Sequence, residues 1–335
     1  MAVDLDVQRK TMAILRVINQ YGPALGSSAI SRHLAEWGLD LRDRMVRNYL
    51  AQTDVAGLTE NLGRRGRCLT DRGRKELELG IAIDRVGFVA SRVDELAYKM
   101  TFDPGRQAGS IIVNASLVAQ DRSLGDSLGT LGMVMRAGLG TGQRLMVVRA
   151  GQRLAQTVVP EGQVAVNTVC SVTLNGALLR YGIAMTSRFG GLLELRDGTP
   201  VRFRHIIHYD GSTLDPLVVF IRGKMTDVRG AARTGTGVIG ASFREIPTVS
   251  LPAAQAVVKK LDRMGLGGVL MVGKPNRPVL DIPVSAGRVG VIVAGGLNPI
   301  AALAEMGMSV ESTALHSLCE FDKLTTVEAA LKDCG

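Results

Sequence analysis

The stretch QVAVNTVCSVTLNGALLRYG, residues 163–182, and the stretch RVGVIVAGGLNPIAALAEMG, residues 288–307, share an arrangement of apolar residues and glycines 125 positions apart. Each pattern predicts an apolar strand, a turn rich in polar residues or glycine, and a helix. Chance matches of small apolar residues are common, but a long ungapped register with coincident glycines is not. The chain therefore contains an internal duplication, and this duplication decides the predicted fold.

The duplication extends on both sides of these two stretches. Three further pairs of segments align: residues 145–147 with 270–272, residues 99–101 with 224–226, and, after one extra residue, Ala115-Ser116 with Ala241-Ser242. Helices alternate with apolar strands in both copies, which predicts sheets packed against helices. We interpret residues 81–210 and 211–335 as two copies of one α/β (α+β) unit, related by an approximate twofold axis with a cleft between them. The pattern does not reveal the strand order.

The turn after each duplicated strand is the most distinctive part of the copies. Polar residues or glycines lie there at a helix N-terminus, where free N–H groups and the helix dipole favour an anion. A ligand between the copies could contact both turns, whereas ordinary capping and tight-turn glycines are the alternative interpretation. The candidate binding residues on the two turns are Cys170, Ser171, Thr173, Asn175, Gly176, Gly295, Gly296 and Asn298.

The first 80 residues have a different pattern. Apolar spacing predicts helices at about 8–21 and 42–55, and between them a helix that Ser27 or Ser28 caps and Gly38 ends. Two short strands then flank the tip Gly63-Arg64-Arg65-Gly66, which predicts a hairpin. Three helices followed by a basic hairpin are typical of a winged helix-turn-helix domain in residues 1–80. A helical bundle that only resembles this domain is the alternative.

Much of the net charge of +9 lies in this first domain, since residues 42–75 hold nine basic and four acidic side chains. A concentrated basic patch attracts polyanions, although a solvated Arg-rich face is the alternative. Duplex DNA is favoured over RNA because no aromatic stacking platform accompanies the basic residues. The candidate DNA contacts are Arg42, Arg44, Arg47, Asn48, Gln52, Arg64, Arg65 and Arg67.

Several classes of protein are disfavoured by the sequence. No apolar run is long enough for a membrane span, and the N-terminus does not read as a signal peptide. Four cysteines without a CxxC pair form no disulfide framework. The glycine motif at residues 235–240 leads into a strand, whereas a dinucleotide site requires a helix after it. We therefore expect a cytoplasmic protein without a membrane partner, a metal, a cofactor or a catalytic site.

These residues together resemble the archaeal-type nitrogen-regulatory repressor family NrpR, which combines a winged helix with one or two copies of an effector domain. The strings that carry the resemblance are RVGFV at 85–89, DELAY at 94–98, TVCS at 168–171, NG at 175–176, FGG at 189–191, YDGSTLDPL at 209–217 and GGLNP at 295–299. The resemblance covers nearly the whole chain. The resemblance implies a repressor of nitrogen-assimilation genes that binds palindromic operators as an oligomer and is released by 2-oxoglutarate.

A dicarboxylate such as 2-oxoglutarate suits paired helix N-termini, with a basic side chain such as Arg188 or Arg204 as an additional partner. We therefore predict a homodimeric, 2-oxoglutarate-responsive repressor that binds a double-stranded operator, with the basal transcription machinery as an open further partner. Two alternatives remain. One is an enzyme that processes a small anion in the α/β region, and the other is a repressor that senses redox state through Cys170.

Overall fold

The computed structural model describes residues 5–22, 24–77, 88–119, 124–154 and 157–334. The chain divides into two compact units, Met1–Gly87 and Phe88–Gly335. The predicted domain boundary at residues 80 and 81 lies outside the described residues, as does part of the string at 85–89. None of the helices in the described ranges is both long and apolar enough to cross a membrane.

The first unit has the predicted winged-helix architecture. Its elements are α1 (Leu5–Tyr21), α2 (Ser27–Glu36), α3 (Asp43–Val55), β1 (Thr59–Asn61), β2 (Arg67–Leu69) and α4, which is helical over residues 71–77. β1 and β2 pair antiparallel, and Leu25 forms a bridge to Arg67 on the other side of β2. Apolar residues at helical spacing bury one face each of α1, α2 and α3, which forms the core of this unit.

One local prediction for this unit is wrong. Neither Ser27 nor Ser28 caps α2, because Gly26 occupies the N-cap position in an extended conformation and offers no side chain. The two serines instead lie in the first turn of the helix. From there the Ser28 hydroxyl donates to Asp43 Oδ1 at 3.3 Å.

The second unit contains both predicted copies. The first copy comprises α5 (Val89–Lys99), β3 (Ser110–Ala119), α6 (Leu124–Arg136), β4 (Arg144–Val148), β5 (Arg153–Leu154), β6 (Thr157–Val158), β7 (Gln163–Val169), α7 (Thr173–Leu179), β8 (Thr186–Arg196) and β9 (Thr199–His208). The second comprises α8 (Pro216–Arg222), α9 (Val228–Thr234), β10 (Gly237–Pro247), α10 (Leu251–Arg263), β11 (Val269–Val272), β12 (Arg288–Ala294), α11 (Asn298–Glu305), β13 (Val310–Glu320), β14 (Thr325–Thr326) and α12 (Val327–Cys334).

The two copies exchange strands. One sheet has the order β11-β12-β10-β8-β9 and the other has the order β13-β3-β7-β4-β14. β8 of the first copy thus pairs with β10 of the second, while β13 of the second copy pairs with β3 of the first. Both large apolar clusters also contain side chains from both copies. A division at residue 210 therefore separates neither the sheets nor the cores, and the two copies form one unit.

The sheet pairing also corrects the sequence alignment of β3 with β10. Val164 of β7 lies opposite Val118, and Val289, which is 125 positions after Val164, lies opposite Ile246. Val118 is therefore equivalent to Ile246, at an offset of 128 positions. The predicted offset of 126, which matched Ala115-Ser116 with Ala241-Ser242, is wrong by two residues. A slip of two residues keeps each side chain on its face of the sheet, so the apolar pattern could not reveal it.

Candidate functional site

The exposed face of α3 carries the predicted DNA contacts. Val46, Leu50 and Thr53 are buried against the rest of the unit, which turns the opposite face to solvent. Five of the predicted residues lie exposed on or next to this face: Arg42, Arg44, Arg47, Asn48 and Gln52. Among them Arg47 also forms an ion pair with Asp43 one turn earlier. The helix therefore presents amide and guanidinium donors of the kind that contact base edges and phosphates.

The hairpin tip presents two of the other three predicted contacts. Arg64 and Arg65 are exposed in a short turn between Gly63 and Gly66, both of which have a positive φ. Arg67 has a different role, because its Nε donates to Asp54 Oδ2 at 2.8 Å and its side chain is only 20% exposed. Arg67 thus fastens the hairpin to the end of α3.

In the second unit the two duplicated turns meet each other. A Cβ on Gly296 would lie 2.2 Å from the carbonyl oxygen of Val169, so only glycine allows this approach. Beside the contact lies a narrow cleft that is partly open to solvent and has an accessible volume of about 20 Å³. It is lined by Val93, Asn114, Cys170, Ser171, Val172, Tyr209, Asp215, Leu217, Ser242, Gly295, Gly296, Leu297, Ala314 and Leu315. The cleft therefore lies between the copies.

Four of the predicted effector residues line this cleft: Cys170, Ser171, Gly295 and Gly296. Asn298 and Thr173 instead bond to strand backbones behind the turns, and the bond from Asn298 to Leu139 also links the two copies. Asn298 Oδ1 accepts from the Gly240 N–H at 2.9 Å, and its Nδ2 donates to the carbonyls of Gly240 and Leu139 at 2.8 and 2.6 Å. The Thr173 hydroxyl donates to the Ile112 carbonyl at 3.0 Å.

The remaining predicted effector residues also lie outside the cleft lining. Gly176 is buried and packs against Met100, since a Cβ there would lie 2.8 Å from the Met100 side chain. Asn175 is buried and donates to the Ser187 hydroxyl at 3.1 Å. Arg188 is exposed on β8. The structure thus brings together the first residues of each turn and leaves the helical residues and Arg188 apart from them.

Arg204, the other basic side chain considered for the ligand, belongs to an ion cluster on β8 and β9. Its Nε lies 3.1 Å from Glu194, which also accepts from Arg202 and Arg196. Hydrogen bonds from these three guanidinium groups hold the pKa of Glu194 well below its usual range. Arg204 is therefore engaged on the surface and is not part of the cleft.

The most unusual side chain near the cleft, that of Arg244, is not among the predicted site residues. Arg244 lies in β10 and is 0% exposed. Its Nη2 donates to Ser171 Oγ at 2.6 Å, its Nη1 donates to the Ser171 carbonyl at 2.8 Å and to Asn175 Oδ1, and its Nε donates to Ser242 Oγ at 3.1 Å. An arginine inside the apolar strand pattern VIGASFREI, residues 238–246, was the available signal.

Burial also perturbs the titratable groups of the cleft. Asp215 accepts from the Leu217 N–H at 2.9 Å at the start of α8, and burial raises the pKa of its carboxyl to about 6. Burial likewise raises the pKa of the Tyr209 hydroxyl and raises the pKa of the Cys170 thiol to about 11. A thiol with so high a pKa is a poor nucleophile at neutral pH, which gives the redox alternative no support.

Comparisons with known proteins agree with this architecture. Residues 86–326 match the model of NrpR regulatory domains NRD1 and 2, and residues 12–77 match a ribonuclease R winged-helix domain. The chain belongs to the NrpR family. The match to the NrpR regulatory domains covers most of the second unit, and the winged-helix match covers most of the first.

Relatives and a solved structure within the NrpR family cover the chain to different extents. The global nitrogen regulator NrpRI of Methanosarcina mazei is 31% identical over 97% of this chain and all of that protein. The NrpR regulators of Methanococcus maripaludis and Methanocaldococcus jannaschii are 32% and 29% identical, but the chain spans only 54% and 58% of their lengths. A nitrogen repressor-like protein from Methanococcus jannaschii has a crystal structure that superposes with a TM-score of 0.62, at 29% identity, over 72% of this chain and 99% of that chain.

Proposed function

We propose that this NrpR family member is a cytoplasmic repressor of nitrogen-assimilation genes that binds duplex operator DNA and is released by 2-oxoglutarate. The observation that carries the proposal is the exposed basic face of α3 beside the Arg64-Arg65 tip. In winged helix-turn-helix proteins such a helix enters the major groove, and basic residues outside it contact phosphates. The names of its relatives, global nitrogen regulators, indicate the class of genes.

A gel-shift titration against DNA that carries this organism's glutamine synthetase promoter tests the DNA-binding part. Arg47→Ala on α3 and Arg65→Ala at the tip should each weaken binding about tenfold, because each removes one base or phosphate contact. Arg65→Ala should also reduce the slope of log affinity against log salt by about one. Arg233→Ala, an exposed arginine on α9 of the other unit, is the matched control. Binding by both variants with wild-type affinity would contradict this use of the winged helix.

The cleft between the copies is the proposed site for 2-oxoglutarate. The N–H groups of Cys170 and Gly295 already donate to the Ile112 and Gly240 carbonyls. The ligand's carboxylates therefore suit the N–H groups of Ser171 and Gly296, together with the buried guanidinium behind Ser171. The same gel shift with millimolar 2-oxoglutarate tests this part, with succinate as the control ligand. Operator binding that 2-oxoglutarate weakens supports the proposal, whereas operator binding that ignores it means that another small anion, or none, is the effector.

We further propose that the repressor is a homodimer that presents two winged helices to a palindromic operator. Binding in the cleft then shifts the placement of the two winged helices, so that they no longer match the spacing of the half-sites. Sedimentation velocity and a series of operators with altered half-site spacing test this mechanism. A monomer that binds a single half-site as tightly as the whole operator would contradict it.

A further inference from the structure

The two copies differ where β3 and β10 lie near the turn of the other copy. Val118 is equivalent to Ile246, and two residues earlier on each strand Ser116 is therefore equivalent to Arg244. Strand exchange gives the same result, since Ser116 lies opposite Ser312 and Arg244 lies opposite Ser187, 125 positions before Ser312. The hydroxyl of Ser116 in the first copy and that of Ser312 in the second copy bond each other at 2.8 Å. The first copy therefore has a hydroxyl at the position where the second copy has a guanidinium group, which shows that the fold does not require the guanidinium there.

Among the described residues, the hydrogen-bond acceptors of the buried Arg244 guanidinium are neutral groups. Its four oxygen acceptors are hydroxyl, carbonyl and amide oxygens of Ser171, Ser242 and Asn175. Within the described part of the chain no carboxylate forms an ion pair with it, although Asp215 is near enough to attract it. Burying a cation without a paired anion is costly. An anionic ligand would supply the missing charge.

Two residues that line the cleft are bonded to this guanidinium. Ser171 and Ser242 both line the cleft, and both accept hydrogen bonds from Arg244. The pairing of β10 with β8 shifts register between Phe243 and Arg244, and such irregularities re-aim side chains near binding sites. The guanidinium therefore lies one hydrogen bond behind the cleft wall, on the side of the first copy's turn.

We propose that Arg244 is the carboxylate-binding residue of the cleft and that the ligand carboxylate takes the place of Ser171 on its guanidinium. This inference rests on the proposed function only in that the cleft takes a small carboxylate. Because Arg244 belongs to the second copy and Ser171 to the first, the exchange releases the β7–α7 turn from β10. The ligand thus loosens one contact between the copies, whereas Ser116, at the equivalent position, bonds Ser312 rather than the second turn.

Isothermal titration of the full chain with 2-oxoglutarate, succinate and glutamate tests the proposal. Arg244→Gln should weaken carboxylate binding by about 30-fold or more, because it removes a buried charge partner. Arg244→Lys should recover part of the affinity, since it keeps the charge but loses the bidentate geometry. Ser116→Ala at the equivalent position is the matched control and should bind as the wild type does. Circular dichroism and thermal unfolding establish that each variant is folded.

Ser171→Ala provides a test if Arg244→Gln does not fold. It removes the hydroxyl that the ligand must displace, so the affinity for the carboxylate should rise severalfold. A purely structural Arg244 would leave the affinity of Ser171→Ala unchanged, and a direct contact from Ser171 to the ligand would lower it. Either result overturns the exchange, as does a folded Arg244→Gln variant with wild-type affinity.

The wild-type titration separates this inference from the proposed function. If the wild type binds succinate or glutamate but not 2-oxoglutarate, the identity of the effector is wrong. A loss of that binding in Arg244→Gln then still supports the role of Arg244. If the wild type binds 2-oxoglutarate and Arg244→Gln binds it equally, the role of Arg244 is wrong and the effector stands. Binding of no carboxylate by the wild type overturns both.

Discussion

The two copies of the duplicated unit share a fold but not a polar interior. At their turns the first copy carries Cys170 and Ser171, whereas the second carries Gly295 and Gly296 at the equivalent positions. In the part of the chain that the structure describes, a guanidinium, that of Arg244, bonds to the first turn and none bonds to the second. The copies share their apolar strands and the hydrogen bonds from Thr173 and Asn298 to the strand backbones, and the fold requires both. The features that differ are polar and buried, and these are where we infer a binding role.

The comparison shows that fold and site are separable within one duplicated chain. Because β8 and β13 are exchanged, each sheet contains strands from both copies, and neither copy forms a complete sheet without the other. A polar residue acquired by one copy then faces the other copy's turn. One substitution can therefore make the two sides of the cleft chemically different, while the fold keeps its approximate twofold symmetry.

The largest expected effect is at the glycine contact between the turns. Gly296→Ala would place a Cβ 2.2 Å from the Val169 carbonyl, a backbone atom that cannot move aside. We expect a loss of about 3 kcal/mol or more in the free energy of unfolding, measured by urea denaturation. Gly129→Ala on α6 is the control, because a Cβ there meets nothing within 4 Å. An unchanged unfolding midpoint for Gly296→Ala would mean that the turns do not touch.

The second prediction concerns Thr173 and Asn298, the two side chains that bond to strand backbones behind the turns. Thr173 and Asn298 are equivalent residues, and each bonds to the backbone of the first strand of its own copy. Asn298→Ala removes the side-chain partner of the buried Gly240 N–H and Leu139 carbonyl, whereas the Gly240 carbonyl keeps the Gly295 N–H. It should cost about 2–4 kcal/mol, whereas Thr173→Ala should cost about 1–2 kcal/mol. Urea denaturation measures both. If Asn298 contacts an effector instead, its variant would keep its stability and lose the response to the ligand.

Much of the architecture could be predicted because its signals are local. Helical spacing, turn glycines and the Arg64-Arg65 tip indicate the winged helix within about 80 consecutive residues. The duplication is visible because β7 and β12 repeat without a gap. The exchange of β8 and β13 could not be predicted, since antiparallel partners are chosen by contacts that are distant in sequence.

The site was predicted less completely for the same reason. Turn residues such as Ser171 and Gly296 stand out as polar or small after an apolar strand. Thr173 and Asn298 have the same polar appearance, but their hydrogen bonds point to backbone groups of strands more than 50 residues away. Arg244 was missed because the predicted offset, 126 instead of 128 positions, aligned it with Val118 rather than with Ser116. In addition, its hydrogen-bond partners lie about 70 residues earlier in the chain.

The third prediction concerns the start of the two equivalent helices. α8 is capped by the Asp215 carboxylate, whereas α5 begins after Phe88 without a side-chain cap. Burial raises the pKa of Asp215 from 3.8 to about 6, so the folded protein binds a proton more tightly than the unfolded chain. The stability from this group is therefore greatest below about pH 4 and is lost as the pH rises through 6.

Asp215→Asn should remove this pH dependence while its amide oxygen keeps the cap. We expect it to stabilise the protein by up to about 3 kcal/mol at pH 8 and by little at pH 4, measured by urea denaturation across the range. Asp103→Asn is the control, and its effect on stability should have the opposite sign. Hydrogen bonds, chiefly that from the Gly105 N–H, lower the pKa of the Asp103 carboxyl. A gain that is equal at both pH values would show that Asp215 ionises normally.

The smallest expected effect is at Cys170, whose equivalent, Gly295, has no side chain. A thiol with a pKa of about 11 is ionised to about one part in a thousand at pH 8. Iodoacetamide should therefore label the half-exposed Cys68 well before Cys170, as peptide mass spectrometry would show. Mild peroxide should leave operator binding within about twofold, and Cys170→Ser should bind as the wild type does. If peroxide abolishes binding and Cys170→Ser prevents the loss, the functional difference between the copies lies in the thiol rather than in Arg244.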